Sequence, residues 1–306
     1  MEKKHLVSVV IRTLNEERYL PELLESIKAQ ESERFSVEVV LVDSGSTDNT
    51  LTIAESFGSR IVHIAKRDFS FGRSLNLGCG NALGDYLVFI SGHCVPVDAH
   101  WIDSLVAPLL MEQCEYSYGR QLPRDTTKFS EGQLFQKYFP EDSRVPQVGI
   151  FCNNANAALR ADIWAKFPFD EELTGCEDMD LAKRLVNSKL RIGYVAEAPV
   201  YHIHDESWAQ VQRRYEREAL ALRSILPEIK INLVDTVRYF LVGCLKDFRA
   251  ARARGRLTET FWSVIRFRWA QYSGAHKGHV THRRDAKIQK ERYFYPRFGS
   301  LEIGKK

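Results

Sequence analysis

The chain is sparing with cysteine, and what it has is scattered. Six cysteines occur among 306 residues, and no C-x-x-C pair joins any two of them. That excludes a zinc ribbon and a disulfide framework, and points to reduced thiols in a cytoplasm. Long apolar runs are missing too. The longest, such as 37–42 and 239–245, fall well short of the roughly 20 residues that span a bilayer. The run at 6–11 is too short for a secretory leader and ends at Arg12. Glycine-rich phosphate loops are absent as well. No G-x-x-x-x-G-K-[ST] occurs, and Gly78-Cys79-Gly80 has its next glycine one place late, at Gly84. A P-loop or dinucleotide enzyme is therefore not indicated. Phosphates, if bound, need another partner, such as a metal.

What is present is an ordinary globular composition, 44% hydrophobic and 27% charged, with a net charge of +3. That charge is unevenly spread. Residues 205–306 hold 22 basic and 11 acidic side chains, a net of +11, which leaves the preceding part at −8. Such a bipolar chain suggests two functional surfaces, one preferring an anionic partner. The simpler alternative is a solvated helical tail.

Short β-branched runs at 6–11, 37–42, 60–64 and 86–90 alternate with helical patterns at 21–30, 47–57 and 73–82. Strict alternation of this kind predicts βαβ units in a parallel sheet. Ligands then bind at the carboxyl ends of the strands, where 12–16, 43–48 and 91–98 concentrate polar residues. Beyond residue 99 the pattern predicts a helix at 101–111, an irregular stretch over 119–147, a short segment at 153–159, a helix at 177–187 and a strand at 191–195. Helices follow at 208–225, 233–252 and 258–271. The expected division is a catalytic domain over 1–205 and a basic helical extension over 206–306.

The segment VVLVDSGSTDNT (39–50) places Asp43 at the end of a buried strand, where its carboxylate can accept from a base N–H. Ser46 or Thr47 reads as the cap of the next helix, with Asp48 complementing its dipole. This segment, VSVVIRTLNEERYLPELLESIKAQ and FGRSLNLGCGNALGDYLVFIS closely resemble family 2 glycosyltransferases, within them the bacterial group known as rhamnosyltransferases. GRQLPR (119–124), NNANAALRADIW (153–164), FDEELTGCEDMDLAKRL (169–185) and VYHIHDES (200–207) are similar to the same group's later blocks. The resemblance implies a GT-A fold, α/β with a mostly parallel central sheet plus the C-terminal helical extension. It also implies a nucleotide-diphosphosugar donor (UDP-, dTDP- or GDP-linked) and inversion at the anomeric carbon. By that resemblance Thr13, Asn15 and Glu16 line the nucleotide pocket, Asp43 and Ser44 meet the base, and Arg73, Asn76, Ser91 and Gly92 approach the donor.

In the family a D-x-D-like motif ends the fourth strand and holds Mg²⁺ or Mn²⁺ on the diphosphate. Here Ser91 and His93 stand in those places. Serine supplies no charge, and a neutral histidine suits Mn²⁺ or a later transition metal better than Mg²⁺. The resemblance makes His93 a ligand, with His202, 24 residues after Asp178, and His204 completing the set; a divalent metal is expected, Mn²⁺ before Mg²⁺. His276, His279 and His282 read as surface residues.

An inverting transfer needs a carboxylate to take the acceptor's proton. Glu177 fits a capping box with Thr174 and Asp180 a polar helix face, and the resemblance implies Asp178, which matches the family's base, as that carboxylate. Asn153, Asn154, Asn156 and Glu177 are expected on the acceptor or diphosphate, with Arg120 and Arg124 less so. Trp262, Ile265 and Trp269 share a helix face, to pack as core or to meet a membrane. The acceptor is expected to be a saccharide or lipid-linked glycan, at the cytoplasmic side of an anionic membrane surface, in bacterial surface polysaccharide synthesis. No nucleic acid is expected as partner. A catalytically silent sugar-nucleotide-binding module is the alternative, and a nucleic-acid-binding protein the less favoured one.

Overall fold

A computed structural model describes residues 4–229 and 231–280. Its first part alternates as the pattern predicts: β1 (His5–Thr13), α1 (Leu20–Lys28), β2 (Phe35–Asp43), α2 (Thr50–Ser56), β3 (Arg60–His63), α3 (Phe71–Gly80) and β4 (Tyr86–Ser91). There follow β5 (Cys94–Pro96), α4 (Trp101–Leu110), β6 (Tyr116–Leu122), α5 (Phe129–Tyr138), β7 (Asn156–Arg160), α6 (Ala161–Lys166), α7 (Glu177–Asn187) and β8 (Ile192–His202). Three helices close the described chain: α8 (Trp208–Ile225), α9 (Leu233–Ala253) and α10 (Leu257–Val280).

The strands form one sheet in the order β3-β2-β1-β4-β7-β6-β8-β5. It is mostly parallel, with β7 antiparallel to both its neighbours and β5 antiparallel to β8. Successive residues of a strand face opposite sides. Val7, Val9 and Ile11 of β1 therefore join a core with Leu23, Trp101 and Leu105 from α1 and α4. Val10 meets Leu75, Leu181 and Leu185 from α3 and α7 on the other side. Burial on both faces is why these strands read as unbroken apolar runs.

Three local expectations are corrected. The stretch over 119–147 is not irregular, since it holds the end of β6 and all of α5. Thr174 and Glu177 form no capping box: Cys176 is the cap residue, left-handed at φ 55°, and the Thr174 hydroxyl donates to the Arg217 carbonyl. Ser46 and Thr47 do not cap α2, where Asp48 accepts the Thr50 N–H instead. Of the two alternatives for Trp262 and Trp269, packing as core is excluded, because both are largely exposed.

The C-terminal helices pack as a layer. Gly274 and Gly278 let α10 lie directly on α8, because a Cβ there would stand 2.3 and 2.2 Å from the carbonyls of Gln212 and Glu216. α9 is tied to α10 by a buried bidentate pair, Asp247 with Arg268. Val211, Phe267 and Ala270 fill a small core beneath. His276 and His279 lie half-buried in α10 rather than on a weakly structured surface, and His282 lies outside the described residues. Among the described residues no helix is long and apolar enough to cross a membrane.

Candidate active site

The carboxyl ends of β1, β2 and β4 share one edge. Strand register sets Thr13 beside Asp43 and Arg12 beside Ser91. Asp43 is buried, and its carboxylate accepts the N–H groups of Gly45 at 2.8 Å and Ser46 at 3.0 Å, and the Ser46 hydroxyl. Gly45, at φ +96°, permits that turn. The two loops are laced together: Asn15 accepts the Thr47 N–H and donates its own N–H to Ser46, while the Ser44 hydroxyl donates to the Thr13 carbonyl. Gly92 passes close to Glu16, since a Cβ on it would sit 2.8 Å from the Glu16 side chain.

Two expected donor residues serve the fold in addition or instead. The Arg73 guanidinium pairs with Glu171 at 2.7 Å. Asn76 accepts from the Trp164 indole and the Phe169 N–H, and donates to the Phe169 carbonyl and Glu171, pinning α3 to the chain ahead of α7.

Three histidines meet beyond this edge. The β5–β8 pairing sets Cys94 opposite His202, which brings His93 alongside. The rings of His93 and His202 stack at 5.3 Å, and those of His202 and His204 meet edge-on at 4.1 Å. One ring nitrogen from each lies within 4.8 Å of the others. In every case Nδ1 is taken by an oxygen: Glu16 at 2.9 Å for His93, Gln121 at 2.6 Å for His202, Glu131 at 2.7 Å for His204. An acceptor on Nδ1 fixes the tautomer that leaves the Nε2 lone pair for a metal. The donor set thus fits a transition-metal ion on its own chemistry.

Electrostatics favours the neutral form at two of the three, His202 and His204. Burial, then the neighbouring His204 and His93, keep His202 neutral well below its ordinary range. Burial and Arg214 also lower His204, against the pull of Glu131. Burial opposes charge on His93, but Glu16 outweighs it and the net shift is upward. Glu131 sits on α5, nearly sealed from solvent. Burial alone would raise it, yet the bonds from His204 and Arg214 hold it at about 2. Arg214 of α8 joins Glu131 to Glu206.

The acidic block lies at the start of α7. Asp178 accepts the Asn154 N–H at 3.0 Å and the Met179 N–H at 2.8 Å. Burial first, then the charge of Glu177, push it up to about 7. Glu177 is buried, with Arg12 at 3.3 Å and the Asn154 amide at 3.5 Å. The Arg12 guanidinium covers one ring contact of Phe71 at 4.8 Å and that of Arg217 another at 4.6 Å. Asn153 accepts the Ala155 N–H within its own turn. Asn156 is fully buried and spends its amide on Trp101, Arg120 and Ala198, so the structure gives it to the fold rather than to a ligand. Arg120 and Arg124 pair with Glu141 and Glu22.

With this geometry in place, the family description "Glycosyl transferase family 2" matches residues 8–166, just over half of the chain. The chain belongs to that family. This family 2 glycosyltransferase is 27% identical over 225 residues to the O-antigen chain rhamnosyltransferase RfbN of Salmonella typhimurium, covering 68% of this chain and 70% of that one. It is 26% identical over 191 residues to the O-antigen chain rhamnosyltransferase WbaN of Salmonella anatum, covering 58% and 60%. Its fold matches the mannosyltransferase PcManGT of Pyrobaculum calidifontis, solved with GDP-Man and Mn²⁺, at a TM-score of 0.64 and 16% identity over 90% of this chain and 88% of the other. The GT-A fold is thereby shown.

Sequence reasoning about this transferase missed the residues behind the histidines. Gln121 and Glu206 lie inside the blocks GRQLPR and VYHIHDES without a role having been assigned to them, and Glu131 and Arg214 carry no motif. Arg12 was visible as the residue that ends the apolar run at 6–11, yet its pairing with Glu177 across 165 positions was not.

Proposed function

We propose that this enzyme moves a sugar from a UDP-, dTDP- or GDP-linked donor to a saccharide or lipid-linked acceptor, with inversion, in bacterial surface polysaccharide synthesis. The observation that carries the reading is Asp178, a carboxylate at the start of α7 that burial and the charge of Glu177 push up to about 7, with Arg12 acting electrostatically on it and on His93. A base is most effective when its pKa lies near the working pH. Asp178 takes the proton from the acceptor hydroxyl as that oxygen attacks the anomeric carbon. The bond to the diphosphate breaks, and its electron pair leaves with the phosphate oxygen.

His93, His202 and His204 would hold a divalent ion, Mn²⁺ in preference to Mg²⁺, because imidazole suits the later metals. Such an ion, when bound, neutralises charge on the leaving diphosphate. Arg12 holds Glu177 and limits how far Asp178 is raised. Thr13, Asn15, Glu16, Asp43, Ser44, Ser91 and Gly92 form the donor edge, with Arg73 and Asn76 bracing it from α3. The Mn²⁺ and GDP-Man of the archaeal mannosyltransferase and the names of the Salmonella relatives support the reading.

A thermal-shift panel of UDP-, GDP-, dTDP- and CMP-sugars, with and without Mn²⁺, tests it. One donor class should raise Tm in a metal-dependent way, and no response to any sugar nucleotide would sink the proposal.

A further inference from the structure

Helix α9 is built inside out. The residues it buries are Thr236, Gly243, Cys244, Asp247 and Ala251, of which Gly243 and Asp247 lie against Arg268 of α10. Those it turns to solvent are Leu233, Val234, Val237, Leu241, Val242 and Leu245, with Leu233 63% and Val234 76% exposed. Their i, i+4, i+8 and i+12 spacing makes one stripe along about 18 Å of helix. The stripe runs on across α10. Phe240 meets Trp269 edge-on at 5.9 Å, and Phe248 stacks on Phe261, which meets Trp262. Trp262 is 66% and Trp269 59% exposed, and their spacing of seven residues puts them on one face.

The charges around this patch are of one sign. Arg238, Lys246, Arg249, Arg252 and Arg266 are exposed, whereas the acids of α9 and α10 are Asp247, buried in its pair, Asp235, spent in the cap of α9, and Glu259, paired with Arg256. A contiguous apolar face with aromatic and basic flanks is the composition of a helix lying in a membrane interface. A second copy of the chain would bring the same cations against themselves, which disfavours self-association. An anionic lipid surface satisfies both the Leu/Val stripe and the basic flank.

We infer that the α9–α10 face docks the enzyme on an anionic bilayer, with α9 lying in the interface and Trp262 and Trp269 at headgroup depth. This deepens the proposed transfer by naming where it takes place. It rests on that reading only for the lipid-linked acceptor, and the vesicle measurement succeeds or fails without it. α8, which carries Arg214 to the histidine cluster, packs on α10, so the docked face and the cleft share one helical layer.

The test is flotation of the full chain with vesicles of equal parts phosphatidylglycerol and phosphatidylcholine, compared with phosphatidylcholine alone. The wild type should float with the anionic vesicles only, and less so at high salt. The Val237→Glu/Leu241→Glu variant should partition at least about tenfold less, at unchanged Tm and unchanged response to sugar nucleotides. A second variant, Trp262→Phe/Trp269→Phe, should lose the quenching that brominated lipids impose on wild-type tryptophan emission. A glutamate variant that floats like the wild type, or a wild type that does not float, overturns the inference. So does a wild-type dimer that the glutamate variant makes monomeric without any flotation, because the face would then belong to a second copy.

Discussion

The backbone N–H of Asn154 donates to Asp178 at 3.0 Å, tying the carboxylate that begins α7 to the turn that precedes β7. A base placed this way is oriented from the sheet rather than by its own helix alone. The bond favours the ionised form, but burial and the Glu177 charge win, and Asp178 stays near 7.

Its pH dependence follows in sign. The folded group titrates near 7 against about 3.8 unfolded, so ionisation is resisted by the fold. Below pH 4 both states are protonated and nothing is lost. Between about 4 and 7 stability falls, and above 7 the full cost, on the order of a few kcal/mol, persists. Asp178→Asn should therefore melt higher than wild type at pH 8 and equally at pH 3.5. It should also lower transfer by about 10²- to 10⁴-fold while donor-induced stabilisation remains. Equal melting at pH 8 or retained turnover would count against the assignment.

Arg12 offers a second handle on the same group. Removing it as Arg12→Leu leaves Glu177 charged and unpaired, a loss of about 3–5 kcal/mol if Glu177 stays ionised. It also removes a cation that pulls Asp178 down. The acid limb of the pH–activity profile should move upward. A limb that stays in place would show that Arg12 does not act on the base.

The donor set makes metal choice measurable. His93→Ala should abolish the thermal stabilisation that Mn²⁺ gives, and Mg²⁺ should stabilise the wild type far less. Glu131→Gln keeps a hydrogen-bonding side chain on His204 but removes its charge. It should weaken Mn²⁺ binding by about 10- to 100-fold in calorimetry. Unchanged affinity would confine Glu131 to its pairing with Arg214.

How much of this was legible depends on what each segment buries. Helices α7 and α8 fall on their expected residues because each presents an apolar stripe at helical spacing. Helix α5 was missed because the face it buries is mostly polar: Ser130 and Glu131 go inside with Phe135, and Glu131 does so to meet His204. The three histidines were legible from family spacing alone, whereas their oxygen partners come from the loop after β1, from β6 and from α5. No local pattern records such long-range pairing. The capping box at Thr174 failed for a different reason. Cys176 turns left-handed, so α7 starts from a backbone conformation that hides the rule, and Glu177 is free to face Arg12. In α9 and α10 the pattern was read correctly as helix, and of the two readings open for the Trp262 and Trp269 face the core one is excluded by its exposure. A pattern of apolar residues fixes a face, not what that face meets.

The Asp247–Arg268 pair is the last point at which the helical layer can be tested. Both groups are nearly sealed, and the guanidinium meets the carboxylate through two bonds of 2.7 Å, with Gln271 on a third nitrogen. Taking away one partner strands a buried charge, so Asp247→Ala should cost about 3–5 kcal/mol and lower Tm by several degrees. Replacing both with apolar residues of similar volume, Asp247→Leu with Arg268→Met, removes the stranded charge and should restore most of the loss. If α9 is held on α10 chiefly by this pair, the single variant should also bind anionic vesicles more weakly, because the Leu/Val stripe no longer has a fixed support, and the double variant should recover binding. A single variant with wild-type melting would instead place the hold on α9 in the aromatic contacts of Phe240 and Phe248.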